Sequence, residues 1–246
     1  MRYTYEYRVG FSHSDINHNM TIPAIIDAYQ DASCFHSEDL GVGFYYLEPL
    51  DLVWIINYWE VEFIKMPKYP DKLTVGTAPY EFKGFIGYRN FFMLDESGEY
   101  VSKANSIWVL MDWKNMRPAK VPDKVKNAYE LEPKLDMTYS SRKIHVPSIE
   151  DEGVTVTKPE SITIQNHHLD ANGHVNNGQY IKIAFGFLPE GIDAKRLRVE
   201  YRSQAHLGDV IFPVIYKTED AYTVELKNGE GEVYTVLELV IRKRTE

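Results

Sequence analysis

Apolar residues recur at helical spacing in two segments of the chain. In the first segment Pro23 suits the opening turn of a helix, and the apolar positions are Ile22, Ile25, Ile26 and Tyr29. In the second segment the apolar positions are Tyr180, Ile181, Ala184 and Phe187. The spacing predicts an amphipathic helix in each half of the chain.

Long runs rich in β-branched and aromatic residues follow each of these segments. The runs lie at 72–82, 84–95 and 99–113 in the first half, and at 209–217, 221–228 and 232–242 in the second. Turns that contain Gly98 and Gly229 separate successive runs. The pattern predicts an antiparallel meander after each helix.

The two halves also share short sequence matches. Residues 15–20 align with residues 170–175 at an offset of 155, and both matches come directly before a predicted helix. Residues 61–63 align with residues 199–201 at an offset of 138. Because loop, helix and strands follow in the same order, the chain is predicted to contain two diverged copies of one unit. A helix beside an antiparallel sheet in each copy places the fold in the α+β class.

The matches also set the expected domain boundaries. We expect an N-terminal unit at 1–116, a linker at 117–158 and a C-terminal unit at 159–246. The stretch from 114 to 159 holds five of the 12 prolines and shows no sustained periodicity, which favours a connection without a core of its own.

Composition narrows the class of protein. With 44% hydrophobic and 26% charged residues, the chain can bury a core and is neither disordered nor fibrous. Its apolar stretches fall short of the roughly 20 residues that span a bilayer, and its first residues lack the apolar core of a secretory signal. We therefore expect a cytoplasmic protein that does not insert into membranes. A net charge of −9 argues against general nucleic-acid binding.

Candidate chemistry lies in the loop before the second helix. Asp170, Asn172 and His174 offer a carboxylate, an amide and an imidazole, and their alternate spacing places them on one side of an extended segment. Asn176 and Asn177 stand where the helix should begin, where a cap and backbone N–H donors are expected. Such groups suit hydrolysis of an acyl bond, which needs a base, a positioned water and donors for an oxyanion.

The same loop carries a family resemblance. The run from His168 to Ile181 resembles the D-x-N-x-H-V-N-N-x-x-Y-I motif of acyl-acyl carrier protein (acyl-ACP) thioesterases. Segments 106–123 and 199–202 are also similar to that family, so the resemblance covers nearly the whole chain. The chain is identified as a member of this family, a bacterial relative of the plant fatty acyl-ACP thioesterases.

The resemblance implies a fold and an activity. The fold is a tandem double hotdog, in which two antiparallel sheets are each wrapped around one long helix. The activity is hydrolysis of the thioester of fatty acyl-ACP, which releases a free fatty acid and ends chain elongation. The partner is an acidic acyl carrier protein bearing a fatty acyl-phosphopantetheine, no cofactor is implied, and a homodimer is expected.

The resemblance also implies a set of site residues. Asp170, Asn172 and His174 match the family motif, but Gln204 stands where the family has glutamate and Ala205 where plant members have cysteine. Since glutamine cannot accept a proton from water, the base is either Asp170 or His174. Asn172 and Gln204 are then expected to orient the water and the carbonyl.

The first copy is expected to be non-catalytic and to build the acyl pocket. Asp15 and Asn17 repeat the pair found in the second copy, but Asn19 and Met66 replace the histidine and the glutamine. The first copy therefore lacks the titrating groups, and one active centre per chain is expected.

Several alternatives remain open from sequence. A coenzyme A thioesterase would share the loop, a non-catalytic acyl-binding protein would suit Gln204 and Ala205, and hotdog dehydratases also pair a histidine with an acid. The histidines match no common zinc spacing, so no metal is expected. Two basic clusters could dock an acidic carrier. These are Lys114, Arg117, Lys120, Lys124 and Lys126, or Arg196, Arg198 and Arg202.

Overall fold

The computed structural model describes residues 2–170 and 173–243, which fold as two units. The units are Met1–Tyr139 and Ser140–Glu246. Each contains an antiparallel sheet with a helix packed against it, as the repeat in the sequence predicts.

The first unit has six strands and three helices among its described residues. In chain order they are β1 (Tyr3–Arg8), α1 (Ile22–Asp39), α2 (Phe44–Leu47), β2 (Leu52–Phe63), β3 (Lys72–Lys83), β4 (Ile86–Leu94), β5 (Tyr100–Asp112), β6 (Arg117–Pro118) and α3 (Asp123–Ala128). The antiparallel strand order is β1-β3-β4-β5-β2, and β6 pairs with β5. The three predicted runs of this half correspond to β3, β4 and β5.

The second unit follows the same plan. Its elements are β7 (Thr155–Thr157), β8 (Ile162–Thr163), α4 (Asn177–Phe185), β9 (Ala194–Tyr201), β10 (Val210–Lys217), β11 (Ala221–Lys227) and β12 (Val233–Ile241). The antiparallel order is β9-β12-β11-β10-β7, and β8 pairs with β10. The three predicted runs of this half correspond to β10, β11 and β12.

Helix α1 forms where the apolar periodicity predicts it. The Thr21 hydroxyl accepts a hydrogen bond from the Ala24 N–H, and Pro23 lies in the first turn, so the helix starts with a satisfied cap. Its apolar face packs against β3, and Tyr29 lies against Trp59 and Phe91. Trp59 is fully buried, so this aromatic cluster forms part of the core of the unit.

Helix α4 is half as long as α1, with nine residues against 18. It ends at Phe185, so Phe187, which the periodicity places on the helix, lies beyond its end. Gly186 caps the helix in a right-handed conformation. Helix α4 packs against β11 and β12, which fixes its first turn relative to the sheet of the second unit.

The segment predicted as a linker contributes structure to both units. Helix α3 buries Val125 in a cluster with Leu110 and Val121, and strand β7 pairs with β10. Packing and strand pairing therefore hold the two ends of this proline-rich segment in place. Within the described residues, no helix is both long enough and apolar enough to cross a membrane.

A buried histidine and a buried arginine meet in the first unit. His36 and Arg89 are each 7% exposed, and Arg89 Nη1 lies 3.2 Å from His36 Nδ1. The ring of Tyr3 stacks on His36 with centroids 5.2 Å apart. Burial and the neighbouring guanidinium lower the pKa of His36 to about 4.

This low pKa makes stability depend on pH. Between pH 6.5 and 4 the unfolded chain binds a proton at His36 that the folded chain does not, so the free energy of unfolding falls as pH falls through this window. The variant His36→Gln should lose about 1–2 kcal/mol less than wild type across the window. Denaturant unfolding at each pH measures the effect, with exposed His145→Gln as the control. Equal pH dependence in wild type and His36→Gln would contradict this role.

Candidate active site

The loop before α4 is closed by main-chain hydrogen bonds. Leu169 and Val175 form an antiparallel bridge, and the Asp170 N–H donates to the His174 carbonyl at 2.8 Å. The Gly173 N–H donates to the Asp170 carbonyl at 3.1 Å, and Gly173 has a φ of +76° that favours glycine. These main-chain bonds hold Asp170, Gly173 and His174 close together, so these described residues do not lie along one extended strand.

The turn holds the Asp170 carboxylate against the backbone of His174. Asp170 Oδ1 accepts a hydrogen bond from the His174 backbone N–H at 3.3 Å. His168, which ends the preceding 3-10 turn (Asn166–His168), accepts from the Gln165 N–H through Nδ1 at 3.0 Å. Asn172, the third predicted site residue, lies outside the described residues, and its role stays a prediction.

The two asparagines after the turn begin the helix. Asn176 is the N-cap of α4, and its side-chain oxygen accepts from the Gly178 N–H at 2.8 Å. The Asn177 carbonyl accepts a hydrogen bond from the Tyr201 hydroxyl at 3.0 Å. Asn176 thus takes the capping position expected from sequence, and both residues fix the direction in which α4 leaves the turn.

The segment after β9 lies directly against this turn. The Val175 N–H donates to the Ala205 carbonyl at 3.2 Å, and the Ala205 N–H donates to the Tyr180 hydroxyl at 2.7 Å. Ala205 and Tyr180 are buried, and Gln204, which precedes Ala205, is half-buried. These bonds bring the backbone next to Gln204, the fourth predicted site residue, beside His174 and Val175.

Sequence reasoning missed three polar residues at this place. The rings of His206 and His174 meet edge to face with centroids 5.1 Å apart. Asp209 Oδ2 accepts from the His206 N–H at 2.8 Å and from the Tyr234 hydroxyl at 3.1 Å. The available signal was the repeat, because Asp209 aligns with Asp71 at the offset of 138.

The surroundings of His174 favour its neutral form. Burial lowers the pKa of His174, and His206 lowers it further, while the Asp170 carboxylate opposes both effects. A neutral imidazole can accept a proton from a water molecule.

The first unit builds the same turn from the same hydrogen bonds. The Asp15 N–H donates to the Asn19 carbonyl at 2.8 Å, and Asp15 Oδ1 accepts from the Asn19 N–H at 2.9 Å. The Met20 N–H donates to the Pro67 carbonyl at 2.7 Å, as Val175 does to Ala205. Each of these hydrogen bonds therefore has an equivalent at the aligned residues of the other unit, and the two turns differ in their side chains.

One pair of differences shows how the turns diverge. Ala205 has an N–H that is buried, and Tyr180 supplies its acceptor. At the equivalent positions the first unit has Pro67, which lacks an N–H, and the apolar Ile25. The buried tyrosine hydroxyl is thus matched to a backbone donor that the first unit does not possess.

Comparisons with known proteins match both units of the chain to one family. A family model described as the acyl-ACP thioesterase N-terminal domain matches residues 1–129, and one described as the C-terminal domain matches residues 152–239. The chain is 30% identical over 227 residues to the chloroplastic oleoyl-acyl carrier protein thioesterase 2 of Arabidopsis thaliana. That alignment covers 83% of this chain and 59% of the relative, so the chain spans about three-fifths of the relative's length.

Solved structures share the fold. An acyl-ACP thioesterase from Bacteroides thetaiotaomicron matches with a TM-score of 0.87 and 22% identity, covering 98% of both chains. The 12:0-ACP thioesterase from Umbellularia californica matches with a TM-score of 0.82 and 19% identity, covering 98% of this chain and 97% of that one. The α+β tandem double hotdog implied by the sequence motif is confirmed.

The Tyr180 hydroxyl should contribute measurably to stability. In Tyr180→Phe the buried Ala205 N–H loses its acceptor, which should cost about 1–3 kcal/mol in the free energy of unfolding. Tyr201→Phe is the matched control. The Tyr201 hydroxyl donates to the Asn177 carbonyl, and a carbonyl oxygen that loses one donor can still accept a second hydrogen bond. Urea unfolding compares the two, and a loss in Tyr180→Phe no larger than in the control would contradict the assignment.

Proposed function

The chain belongs to the acyl-ACP thioesterase family, and we propose that it hydrolyses the thioester of fatty acyl-ACP to release a free fatty acid. The observation that carries this proposal is the turn that joins Asp170 to His174 and lies against the Gln204–Ala205 segment. In the first unit the same turn presents Asn19 in place of the histidine.

We assign the base to His174. The neutral imidazole takes a proton from a water molecule, and the water oxygen forms a bond to the thioester carbonyl carbon. Asp170 holds the backbone of His174 in the turn and favours the imidazolium as it forms. The C–S bond of the tetrahedral intermediate then breaks, and the departing thiolate takes the proton from His174.

The oxyanion requires donors close to the carbonyl oxygen. The Asn177 N–H lies at the positive end of α4 and is the backbone donor in this proposal, since the Gly178 N–H is bonded to the Asn176 side chain. The Asn172 amide is a second donor in this proposal. Gln204 orients the water or the carbonyl, because its amide both donates and accepts hydrogen bonds but does not take a proton.

Three further properties belong to this proposal. The first unit forms the acyl pocket, the protein is a homodimer, and it works in the cytoplasm. Family membership supports the first two, and the expectation from composition supports the third.

A non-catalytic acyl-binding protein is the second candidate. Gln204 and Ala205 favour it, because the family glutamate and the plant cysteine are both replaced. The presence of His174 with a lowered pKa beside Asp170 argues for hydrolysis instead.

The test is release of free thiol from matched acyl-ACP and acyl-coenzyme A substrates. Wild type should hydrolyse acyl-ACP preferentially, and His174→Ala and Asp170→Ala should each lower kcat by about 10²-fold or more, since proton transfer is lost or misplaced. Asn19→Ala and Asp15→Ala make the same truncations in the equivalent turn of the first unit. These controls should keep kcat near the wild-type value.

Three results would count against the proposal. Wild-type turnover in both His174→Ala and Asp170→Ala would remove these residues from the chemistry. An inactive wild type together with an active Gln204→Glu would show that the protein binds acyl chains without hydrolysing them. Preference for acyl-coenzyme A in wild type would instead identify a coenzyme A thioesterase.

The structure favours the first of the two basic clusters for carrier docking. In the second cluster Arg198 is buried and donates to Glu238 and to two carbonyls, and Arg202 donates to Glu200. In the first cluster the side chains of Lys114, Arg117 and Lys120 are exposed. These three residues offer positive charge to an acidic partner.

Charge reversal tests this docking. A triple variant with glutamate at Lys114, Arg117 and Lys120 should raise KM for acyl-ACP about tenfold at low salt and leave KM for acyl-coenzyme A unchanged. The control carries glutamate at three other exposed lysines, which are Lys143, Lys158 and Lys195. An equal rise in KM in both triple variants would mean that net charge alone, and no particular face, attracts the carrier.

A further inference from the structure

The turn after β9 carries a histidine that neither the family motif nor the proposed chemistry uses. His206 has a side chain that is 61% exposed, and its ring meets the ring of His174 with centroids 5.1 Å apart and planes at 69°. The two residues come from different segments, which the bond between Val175 and Ala205 holds together.

An acidic residue holds this histidine in place. Asp209 Oδ2 accepts from the His206 backbone N–H at 2.8 Å and lies 3.9 Å from His206 Nδ1. The buried Tyr234, on β12, donates its hydroxyl to the same oxygen at 3.1 Å. The carboxylate is therefore fixed between a backbone donor and a hydroxyl donor, beside the His206 ring.

We propose that His206 is a positioning residue for the proposed thioester hydrolysis. Held by Asp209, it orients the His174 ring so that this ring can act as the base. This inference rests on the proposed function for its role in turnover. The coupling between the two histidines stands on their geometry.

The groups around the pair act on the protonation of His174. His174 faces His206 and Asp170, and His206 faces His174 and Asp209. Two imidazoles in ring contact disfavour simultaneous protonation. Burial and His206 lower the pKa of His174, while the Asp170 carboxylate raises it.

The first unit shows that the turn itself does not require a histidine. There the Lys68 N–H donates to Asp71 Oδ2 at 2.9 Å, as the His206 N–H does to Asp209. The position equivalent to Tyr234 holds Val101, whose carbonyl accepts from the Ile64 N–H as the Tyr234 carbonyl accepts from the Arg202 N–H. The backbone turn forms in both units, so the second unit does not need His206 and Tyr234 to form it.

The experiment measures the titration of His174 and the pH dependence of kcat/KM. Nuclear magnetic resonance with labelled histidine follows His174 in wild type, His206→Asn and His206→Lys. In His206→Asn the pKa of His174 should rise by about half a unit to one unit, because the imidazole that lowers this pKa is gone. The acid limb of kcat/KM should move to higher pH by the same amount.

The lysine variant separates the effect of charge on His174 from the effect of the contact between the two rings. His206→Lys places a positive charge beside His174 and copies the residue found in the first unit, so the His174 titration and the acid limb should return close to wild type. Its kcat should stay below wild type, because the ring that orients His174 is missing. Lys68→Asn removes the equivalent side chain from the first unit and should change none of these quantities.

The readouts separate failure of this inference from failure of the proposed function. An unchanged His174 titration and an unchanged acid limb in His206→Asn would overturn the role of His206. A wild type that hydrolyses no thioester would reject the proposed function and with it the role of His206 in turnover. The titration of His174 would still show whether His206 sets its protonation state.

Discussion

The hydrogen bond from the Val175 N–H to the Ala205 carbonyl is the contact on which the candidate site depends. It joins the turn before α4 to the segment after β9, and so it brings His174 to His206. Because the bond uses main-chain atoms, it does not depend on which side chains the turn carries. The first unit forms the same bond between Met20 and Pro67, with a different residue at each of the two positions.

The two units differ in the side chains that they carry around this shared main-chain hydrogen bond. A proline at the acceptor position removes a backbone donor, so the position equivalent to Tyr180 needs no hydroxyl, and the first unit has Pro67 and Ile25 there. An alanine at the same position keeps its N–H, which is buried and needs a partner, and the Tyr180 hydroxyl provides one. Polar side chains could therefore gather in the second unit without disturbing the backbone that both units share.

The sequence was sufficient for the plan of the fold, and it indicated where the candidate site lies. Periodicity placed α1 and the three long strands that follow each helix, since each buries one face and so repeats its pattern over many residues. The repeat gave the alignment of the two turns, and the motif indicated Asp170 and His174. The length of α4 was not predictable, because Phe187 continues the apolar spacing after the helix has ended at Phe185.

The sequence by itself determined the two copies, the turn residues and the replacement of the family glutamate by Gln204. Only the tertiary structure decided that Asp170 and His174 lie on a tight turn, with Gly173 at positive φ, and that His206, Asp209 and Tyr234 join them. The reason is that the sequence shows the order of residues along one chain. The meeting of two histidines from different segments is set by strand pairing and by the hydrogen bond between Val175 and Ala205.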